Sequence, residues 1–363
     1  MALYLLKYPY RKILLPLAKK LTWMNPDILG YLATVVAFFT MLCYLYAQGN
    51  PTLLIISIVL TLLRMTLNTI DGVIAIERGN MKLKGEIVNA LPDRYSDIFI
   101  LFGIGLSSLC TPLLGMLGMA SMFLVSYTGM LAKAIGVNWQ HHGPLGKVER
   151  LILIMIFSIL QYLSLTGKIH NIYNFTYFEW LMVVFVVLGQ ITVLNRLIGQ
   201  LRECKKSDWI KYRQIGEKIV VVFDSLTGNT QKVAEQVADS LNTQCVNVKD
   251  AVAMDFSSYD LVVFATPNLG RKKTTPAMQA LLEKNLTVKN YALAITSGMP
   301  IYRLISTPRC IKFFVEKLNK EPIAAINIKG YHSIAKTYPN RPNEDDLLDA
   351  YLFGIKAYER LVK

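Results

Sequence analysis

Over the first 200 residues, apolar positions run in long, almost unbroken blocks separated by short polar segments. Six blocks read as membrane-crossing helices. They lie at about Ile28–Ala47, from Leu53 past Arg64 towards Ala75, from Ile98 (or as early as Ile87) to Ser107, and at Leu113–Leu131, Leu151–Leu165 and Leu181–Leu194. Several fall short of the ~20 residues a hydrocarbon core requires, so the expectation is a multi-pass α-helical bundle of about six spans with soft boundaries. The second and third blocks differ from the rest because polar groups invade their ends. Residues 1–20 interleave Lys7, Arg11, Lys12, Lys19 and Lys20 with Leu and Tyr, the pattern of a basic amphipathic helix on a membrane surface and not of a cleavable signal.

From about residue 216 the pattern changes. Lys218–Phe223, Leu261–Ala265 and Tyr291–Thr296 are short, continuous, β-rich apolar runs, as strands buried on both faces of a parallel sheet should be. Each ends in a turn rich in hydroxyls, Gly or Pro, and after the first a helical pattern follows over Gln231–Leu241. Alternating strands and helices predict a doubly wound α/β domain with its ligand at the carboxyl ends of the strands. The expected organisation is a membrane domain over 1–200, a basic connector over 201–215 and the α/β domain over 216–363. The connector carries Arg202, Lys205, Lys206, Trp209, Lys211 and Arg213, which suits a tether lying at the membrane interface.

Composition sharpens this picture. Hydrophobic residues make up 53% and charged residues 18%, which excludes a disordered or fibrous chain. The net charge is +14, and residues 1–214 hold +10 of it, from 20 Lys and Arg against 10 Asp and Glu. With the N-terminus inside, the outer loops near 48–52, 108–112 and 168–178 contain a single basic residue, Lys168. That bias predicts a protein of the cytoplasmic (inner) membrane with both termini in the cytoplasm. It also makes the positive charge an address on an anionic leaflet, so no nucleic-acid partner is expected. The five cysteines form no CxxC pair or disulfide framework, which suits a reducing compartment, and the four histidines show no metal-ligand spacing.

The candidate chemistry sits where the second and third blocks turn polar. On helices, Asn68 and Asp71 share one face, and Asn89, Asp93 and Asp97 share another. Two facing helices with inward carboxylates would line a cavity with oxygen, which Mg²⁺ prefers, and phosphates would complete the coordination. A solvated loop with scattered acids is the competing reading; the cost of acids at membrane depth argues against it.

The stretch resembles the signature of the CDP-alcohol phosphatidyltransferase family, D-x2-D-G-x2-A-R-x8-G-x3-D-x3-D. Asp71, Gly72, Ala75, Gly85 and Asp93 fall on it at the family's spacing, whereas Asn68, Ile76 and Asn89 replace an Asp, the Arg and another Asp. Asp97 lies one turn beyond, so a register with Asp93 and Asp97 as the final pair stays open. The resemblance covers about residues 20–200. It implies metal-dependent transfer (Mg²⁺ or Mn²⁺) of a phosphatidyl or related group from CDP-diacylglycerol or a similar CDP-alcohol to an acceptor hydroxyl, with release of CMP. It further implies metal ligation by Asn68, Asp71, Asn89 and Asp93, a general base at Asp93 or Asp97, substrate contacts at Gly72, Ala75 and Gly85, and a homodimer. The two Asn residues keep oxygen ligands but remove two negative charges, which puts the number of metals in question. The inner loop His142-Gly-Pro-Leu-Gly-Lys147-Val-Glu-Arg150 resembles the family's loop that meets an anionic group of the acceptor. By that resemblance Lys147 and Arg150 would hold the anion together, and ordinary positive-inside charge is the alternative. His141 and His142 read as loop surface.

In the α/β half, Asp224-Ser-Leu-Thr-Gly-Asn-Thr230 follows the first strand and opens a helix, a cradle of hydroxyls and backbone N–H groups for a phosphate. It resembles the FMN-phosphate loop of flavodoxins. That implies a flavodoxin-like domain with Ser225, Thr227, Gly228, Asn229 and Thr230 on the FMN phosphate and loops near 267–270 and 297–302 beside the ring. Tyr302 is a candidate stacking residue or a plain surface Tyr. Flavodoxins are usually acidic and this domain is +4, so a domain that has lost its flavin is an alternative. For the whole chain the competing function is a membrane-anchored, flavodoxin-like electron-transfer protein with a degenerate transferase half.

Overall fold

The computed structural model describes residues 7–21, 23–77, 83–137, 143–284, 286–300, 302–332 and 335–363, with the side chains of 7–9, 75–77, 83–89, 302 and 303 left aside. The chain divides into two compact units, Met1–Gln200 and Leu201–Lys363.

The first unit is a helix bundle. Helix α1 (Lys7–Lys20) is followed by α2 (Pro26–Tyr46), α3 (Thr52–Glu77), α4 (Leu83–Gly105), α5 (Pro112–Ala134), α6 (Lys147–Leu165) and α7 (Tyr177–Tyr212). Among the described residues, α2, α3, α5, α6 and α7 are long and apolar enough to cross a membrane. The chain is therefore a multi-pass membrane protein, and the expected count of six spans is approximate. The third predicted block is the discrepancy. It forms most of α4, long enough to span, but Asp93, Arg94 and Asp97 interrupt its apolar character.

Apolar side chains hold the bundle together. Tyr44, Leu54, Ile100, Leu101, Ile104, Phe178, Leu181 and Phe185 are buried in one cluster joining α2, α3, α4 and α7. Polar groups inside it are matched, as burial away from water demands. The Tyr44 and Ser158 hydroxyls bond at 3.0 Å, and Gln161 Oε1 accepts from the Tyr177 and Phe178 N–H groups at the start of α7. Thr34 of α2 donates to the Pro92 carbonyl of α4 at 3.1 Å, fixing the turn that precedes Asp93. The basic N-terminal segment packs its apolar side, with Ala18 and partly buried Leu14 and Leu15, against Leu29, Ile70, Val73 and Ile74.

The second unit is a five-stranded parallel sheet in the order β2-β1-β3-β4-β5, formed by β1 (Ile219–Phe223), β2 (Cys245–Asn247), β3 (Leu261–Pro267), β4 (Tyr291–Ser297) and β5 (Ala324–Lys329). This is the flavodoxin-type doubly wound order, whose direction reverses between β1 and β3. β1 and β4 are buried along their whole length, which explains their unbroken apolar sequence. Helices α8 (Asn229–Ser240) and α11 (Glu344–Leu361) cover one face, where Val233, Val237, Ala350 and Phe353 meet Val221 and Val263. α9 (Pro276–Leu282) and α10 (Thr307–Leu318) cover the other, where Met278 and Phe314 meet Val222 and Phe264.

The segment read from sequence as a connector is helical as far as Tyr212. Its residues 201–212 pack within the second unit. Trp209 Nε1 donates to the Ser240 carbonyl at 2.7 Å, and its ring meets Tyr358 edge-on. Lys205 pairs with Glu359 at 2.9 Å and Arg202 with Asp349. Arg202, Lys205 and Trp209 therefore have protein partners on α8 and α11.

Candidate functional site

Three helices of the first unit bring the sequence-predicted polar residues together. α3 supplies Arg64, Asn68 and Asp71, α4 supplies Asp93, Arg94 and Asp97, and α6 supplies Lys147 and Arg150 in its first turn. One oxygen of Asp93 accepts from the Asn68 amide N–H. The other accepts from Lys147 Nζ at 2.5 Å. Asp93 is partly exposed, with 20% of its side chain accessible. Asp71 is buried within reach of the charges of Asp93 and Lys147. Beside it, a Cβ added at Gly72 would meet nothing within 4 Å, so this face of α3 has free space.

Asp97 is enclosed by guanidinium groups. Arg64 reaches it at 3.1 Å, Arg150 at 3.0 Å and Arg94 at 3.2 Å. The Arg94 guanidinium also donates to Ser126 Oγ of α5. A carboxylate held this way keeps its charge and is poorly placed to take up a proton. Asp93, with a lysine, an amide and solvent around it, is the more open of the two to a substrate hydroxyl.

The position of Lys147 and Arg150 is set by the loop before α6. Gly143 has φ +115, and a Cβ there would lie 2.8 Å from the Thr192 backbone of α7, so only glycine allows this approach. Thr192 Oγ1 then accepts from the Leu145 N–H at 3.1 Å, and α6 starts two residues later. His141 and His142 lie outside the described residues, as do the side chains of Ala75 and Asn89 and the surroundings of Gly85. For these last three the backbone places Ala75 near the end of α3 and Gly85 and Asn89 in the first half of α4.

Sequence reasoning missed Arg64, Arg94 and Arg196. Arg64 is fully buried in a membrane helix, and a lone cation inside an apolar block was the signal that could have found it. Arg196 of α7 is buried and donates to the Val125 carbonyl of α5.

The donor set can be tested against the metals that the resemblance implies. With Asn at 68 and 89 and Asp97 committed to three guanidinium groups, Asp71 and Asp93 are the carboxylates left to face an ion. Among the described residues no three acids, histidines or cysteines gather as a ligand group. A two-ion centre does not fit these residues. The smaller donor set of Asp71 and Asp93, with the Asn68 amide beside Asp93, suits one ion better than two.

In the second unit, β1 leads into the Asp224–Gly228 turn. Gly228 caps α8 with φ +80, a left-handed conformation that suits glycine. Ser225 Oγ is buried without a hydrogen-bond partner at the N-terminal end of this helix. Thr230 Oγ1 bonds Thr296 Oγ1 of β4 at 2.8 Å, and Asn229 donates to Thr227 Oγ1 and to the Tyr331 carbonyl. Thr227 is exposed. An unmet hydroxyl at a helix N-terminus, at the point where the strand order reverses, fits the phosphate of FMN. The turns after β3 and β4 border the same edge, and the side chain of Tyr302 lies outside those described.

Comparison with known proteins agrees with this division. Residues 220–301 match the flavodoxin domain family. Archaetidylinositol phosphate synthase of Methanothermobacter thermautotrophicus is 28% identical over 132 residues, which is 36% of this chain and 63% of that protein, so less than two thirds of its length is spanned. The enzyme of the same name from Pyrococcus horikoshii is 28% identical over 134 residues, 37% of this chain and 67% of its own. Among solved structures, the phosphatidylinositol phosphate synthase of Mycobacterium tuberculosis with CDP-DAG bound aligns with a TM-score of 0.42 at 21% identity, covering 52% of this chain and 94% of that one. The N-terminal half thus has phosphatidyl-transferring synthases as homologues and is CDP-alcohol phosphatidyltransferase-like, and the C-terminal domain is flavodoxin-like.

Proposed function

We propose that the membrane half transfers a phosphatidyl or related phospho-alcohol group from a CDP-alcohol, such as CDP-diacylglycerol, to an acceptor hydroxyl that itself carries a phosphate. The observation that carries this reading is the Asp93 carboxylate, partly open to solvent and held between Asn68 and Lys147 where α3, α4 and α6 meet. Asp93 takes the proton of the acceptor hydroxyl. The hydroxyl oxygen bonds to the phosphorus that bears the lipid alcohol, the bond from that phosphorus to the bridging oxygen breaks, and the electron pair leaves on CMP. Lys147, with Arg150 beside it, binds the acceptor's phosphate and brings the hydroxyl within reach of Asp93. Asp97 does not touch the reacting atoms; it is a positioning residue that holds Arg64, Arg94 and Arg150 in place. Asn68, Asp71, Asn89 and Asp93 would hold one divalent cation, Mg²⁺ or Mn²⁺, which supplies charge neutralisation at the diphosphate.

The charge bias of the loops supports an orientation with both termini and this site on the cytoplasmic side, and the resemblance supports a homodimer. The test is CMP release by the purified full chain from CDP-diacylglycerol across a panel of acceptors, inositol phosphate and glycerol phosphate among them. Release that depends on a divalent cation and is lost in Asp93→Ala supports the reading, and unchanged release in that variant refutes it.

A second reading is favoured by the unmet Ser225 hydroxyl. The C-terminal domain binds FMN and moves electrons, and the membrane half serves as its anchor. Flavin absorbance near 450 nm (the flavin's own band) in a purified chain that releases no CMP with any acceptor would favour it.

A further inference from the structure

Several cations of the second unit are ion-paired: Arg202 with Asp349, Lys205 with Glu359, Lys289 with Asp260 and Arg341 with Asp346. One group departs from this. Arg271, Lys273, Arg309 and Lys312 line a single open depression with Phe313 and Glu316, and Lys272 is exposed beside them. Among the described residues, neither Arg271 nor Arg309 has an ion-pair partner. Lys312 reaches Glu316 only at 4.0 Å, with both side chains more than half exposed, a pair that counts for little. Like charges gathered on one face without matching acids favour a negatively charged partner.

The fold draws this group together from two turns. The turn Gly270–Lys272 follows β3, and the turn Tyr302–Ser306 lies between β4 and α10; the two turns are in contact. Lys273 takes φ +64 and ψ −67, a conformation that costs a residue with a Cβ, and holds its Nζ 4.8 Å over the Phe313 ring. Arg309 stands in the first turn of α10, where no acid is present and positive charge opposes the helix dipole. Next to these cations are two uncovered aliphatic side chains, Leu304 at 80% and Ile305 at 51% exposure.

Basic side chains beside exposed aliphatic ones are the composition that binds a bilayer interface, with the cations on headgroup phosphates and the aliphatic groups in the acyl boundary. An acidic protein would also answer the charges. A lipid surface is favoured because this unit is covalently continuous with a multi-pass membrane protein, which keeps a leaflet at high effective concentration around it. We propose that the turns Gly270–Lys272 and Tyr302–Ser306, with the start of α10, form a docking surface for an anionic lipid leaflet. Both turns lie at the carboxyl ends of their strands, so docking presents the ligand edge of this sheet to the headgroups. The inference rests on neither the transferase nor the flavin reading.

The test is lysine acetylation of the full chain in nanodiscs, read residue by residue by mass spectrometry, with phosphatidylcholine alone or with phosphatidylglycerol added. Lys272 and Lys312 report on the patch, and Lys232 and Lys356, exposed on α8 and α11, serve as references. Anionic lipid is expected to slow acetylation of Lys272 and Lys312 by about tenfold, which corresponds to about 1.4 kcal/mol of docking, and to leave the references unchanged. Arg271→Glu with Arg309→Glu, and separately Leu304→Asp with Ile305→Asp, should restore the neutral-lipid rate. All four side chains are exposed, so both variants are expected to keep the wild-type unfolding midpoint. Equal rates at Lys272 and Lys312 in the two lipids overturn the proposal, as do equal slowing of the references and slowing that survives both pairs of substitutions. Slowing by FMN or by polyglutamate in neutral nanodiscs, with no response to anionic lipid, assigns the patch to a flavin or to an acidic protein and overturns it too.

Discussion

Replacing Asp97 by Ala removes the single carboxylate shared by three guanidinium groups. Two of them, Arg64 with 0% and Arg150 with 5% of the side chain exposed, are buried. Arg94 is 33% exposed, so its pair with Asp97 counts for little. Breaking a buried ion pair by removing one partner costs about 3–5 kcal/mol, because the remaining charge is left desolvated. For a unit the size of Met1–Gln200 each kcal/mol moves the midpoint of thermal unfolding by about 2–4 °C, so Asp97→Ala is expected to lower that unit's midpoint by roughly 6–20 °C. Asp93 provides the control. Its side chain is 20% exposed and its lysine partner 39%, so Asp93→Asn is expected to cost about 1 kcal/mol or less. The assay is thermal unfolding of the detergent-solubilised chain followed by tryptophan fluorescence, with CMP release measured on the same preparations. Asp93→Asn should abolish turnover at near-native stability, whereas Asp97→Ala should lose both. An unfolding midpoint for Asp97→Ala within about 2 °C of wild type, or a larger shift for Asp93→Asn, would refute the assignment of Asp97 as the buried counter-ion.

Asp93→Ala is expected to slow CMP release by about 10²–10⁴-fold, the usual contribution of a general base, measured as kcat; an effect confined to KM would contradict the role. Lys147→Ala is expected to raise KM for a phosphate-bearing acceptor by roughly 10–100-fold, the worth of one lost hydrogen bond to a charged group, while an acceptor without phosphate is little affected. In the second unit, Ser225→Ala and Gly228→Ala should each weaken FMN uptake, measured by flavin fluorescence quenching, the latter because φ +80 costs a residue with a Cβ about 1–2 kcal/mol. Burial pushes the Cys310 thiol up to about 12 from its ordinary 9.0. Its folded form therefore favours the protonated state, and the associated stability is complete below pH 9.0 and lost as pH rises towards about 12. Iodoacetamide at pH 9 should leave Cys310 unlabelled in the folded chain and label it in denaturant; equal labelling in both would contradict this.

The division into a helical membrane bundle and a parallel α/β sheet was legible because both rest on period and polarity, which the sequence states directly. The buried strands β1, β3 and β4 are its continuous apolar runs, and the glycine turn after β1 opens α8 as its composition suggested. Less legible was the end of α7. The change from apolar to basic near residue 200 marks where the surroundings change, and helix propensity does not change with it, so the helix continues to Tyr212. At the candidate site the acids on α3 and α4 were legible from their spacing, since i, i+3 and i, i+4 positions share a face by the geometry of one helix. The partner of each acid was not, because Arg64, Asp97 and Arg150 meet only through the packing of three helices separated in sequence by 33 and 53 residues. That is also why the motif alone does not tell the acids apart. A signature counts acids along one stretch of chain, whereas what each acid can do depends on the charges that the fold brings to it. Among the described residues, Asp97 meets Arg64, Arg94 and Arg150 from three helices, whereas Asp93 meets Asn68 and Lys147 and keeps an opening to solvent, a difference that no spacing along the chain contains.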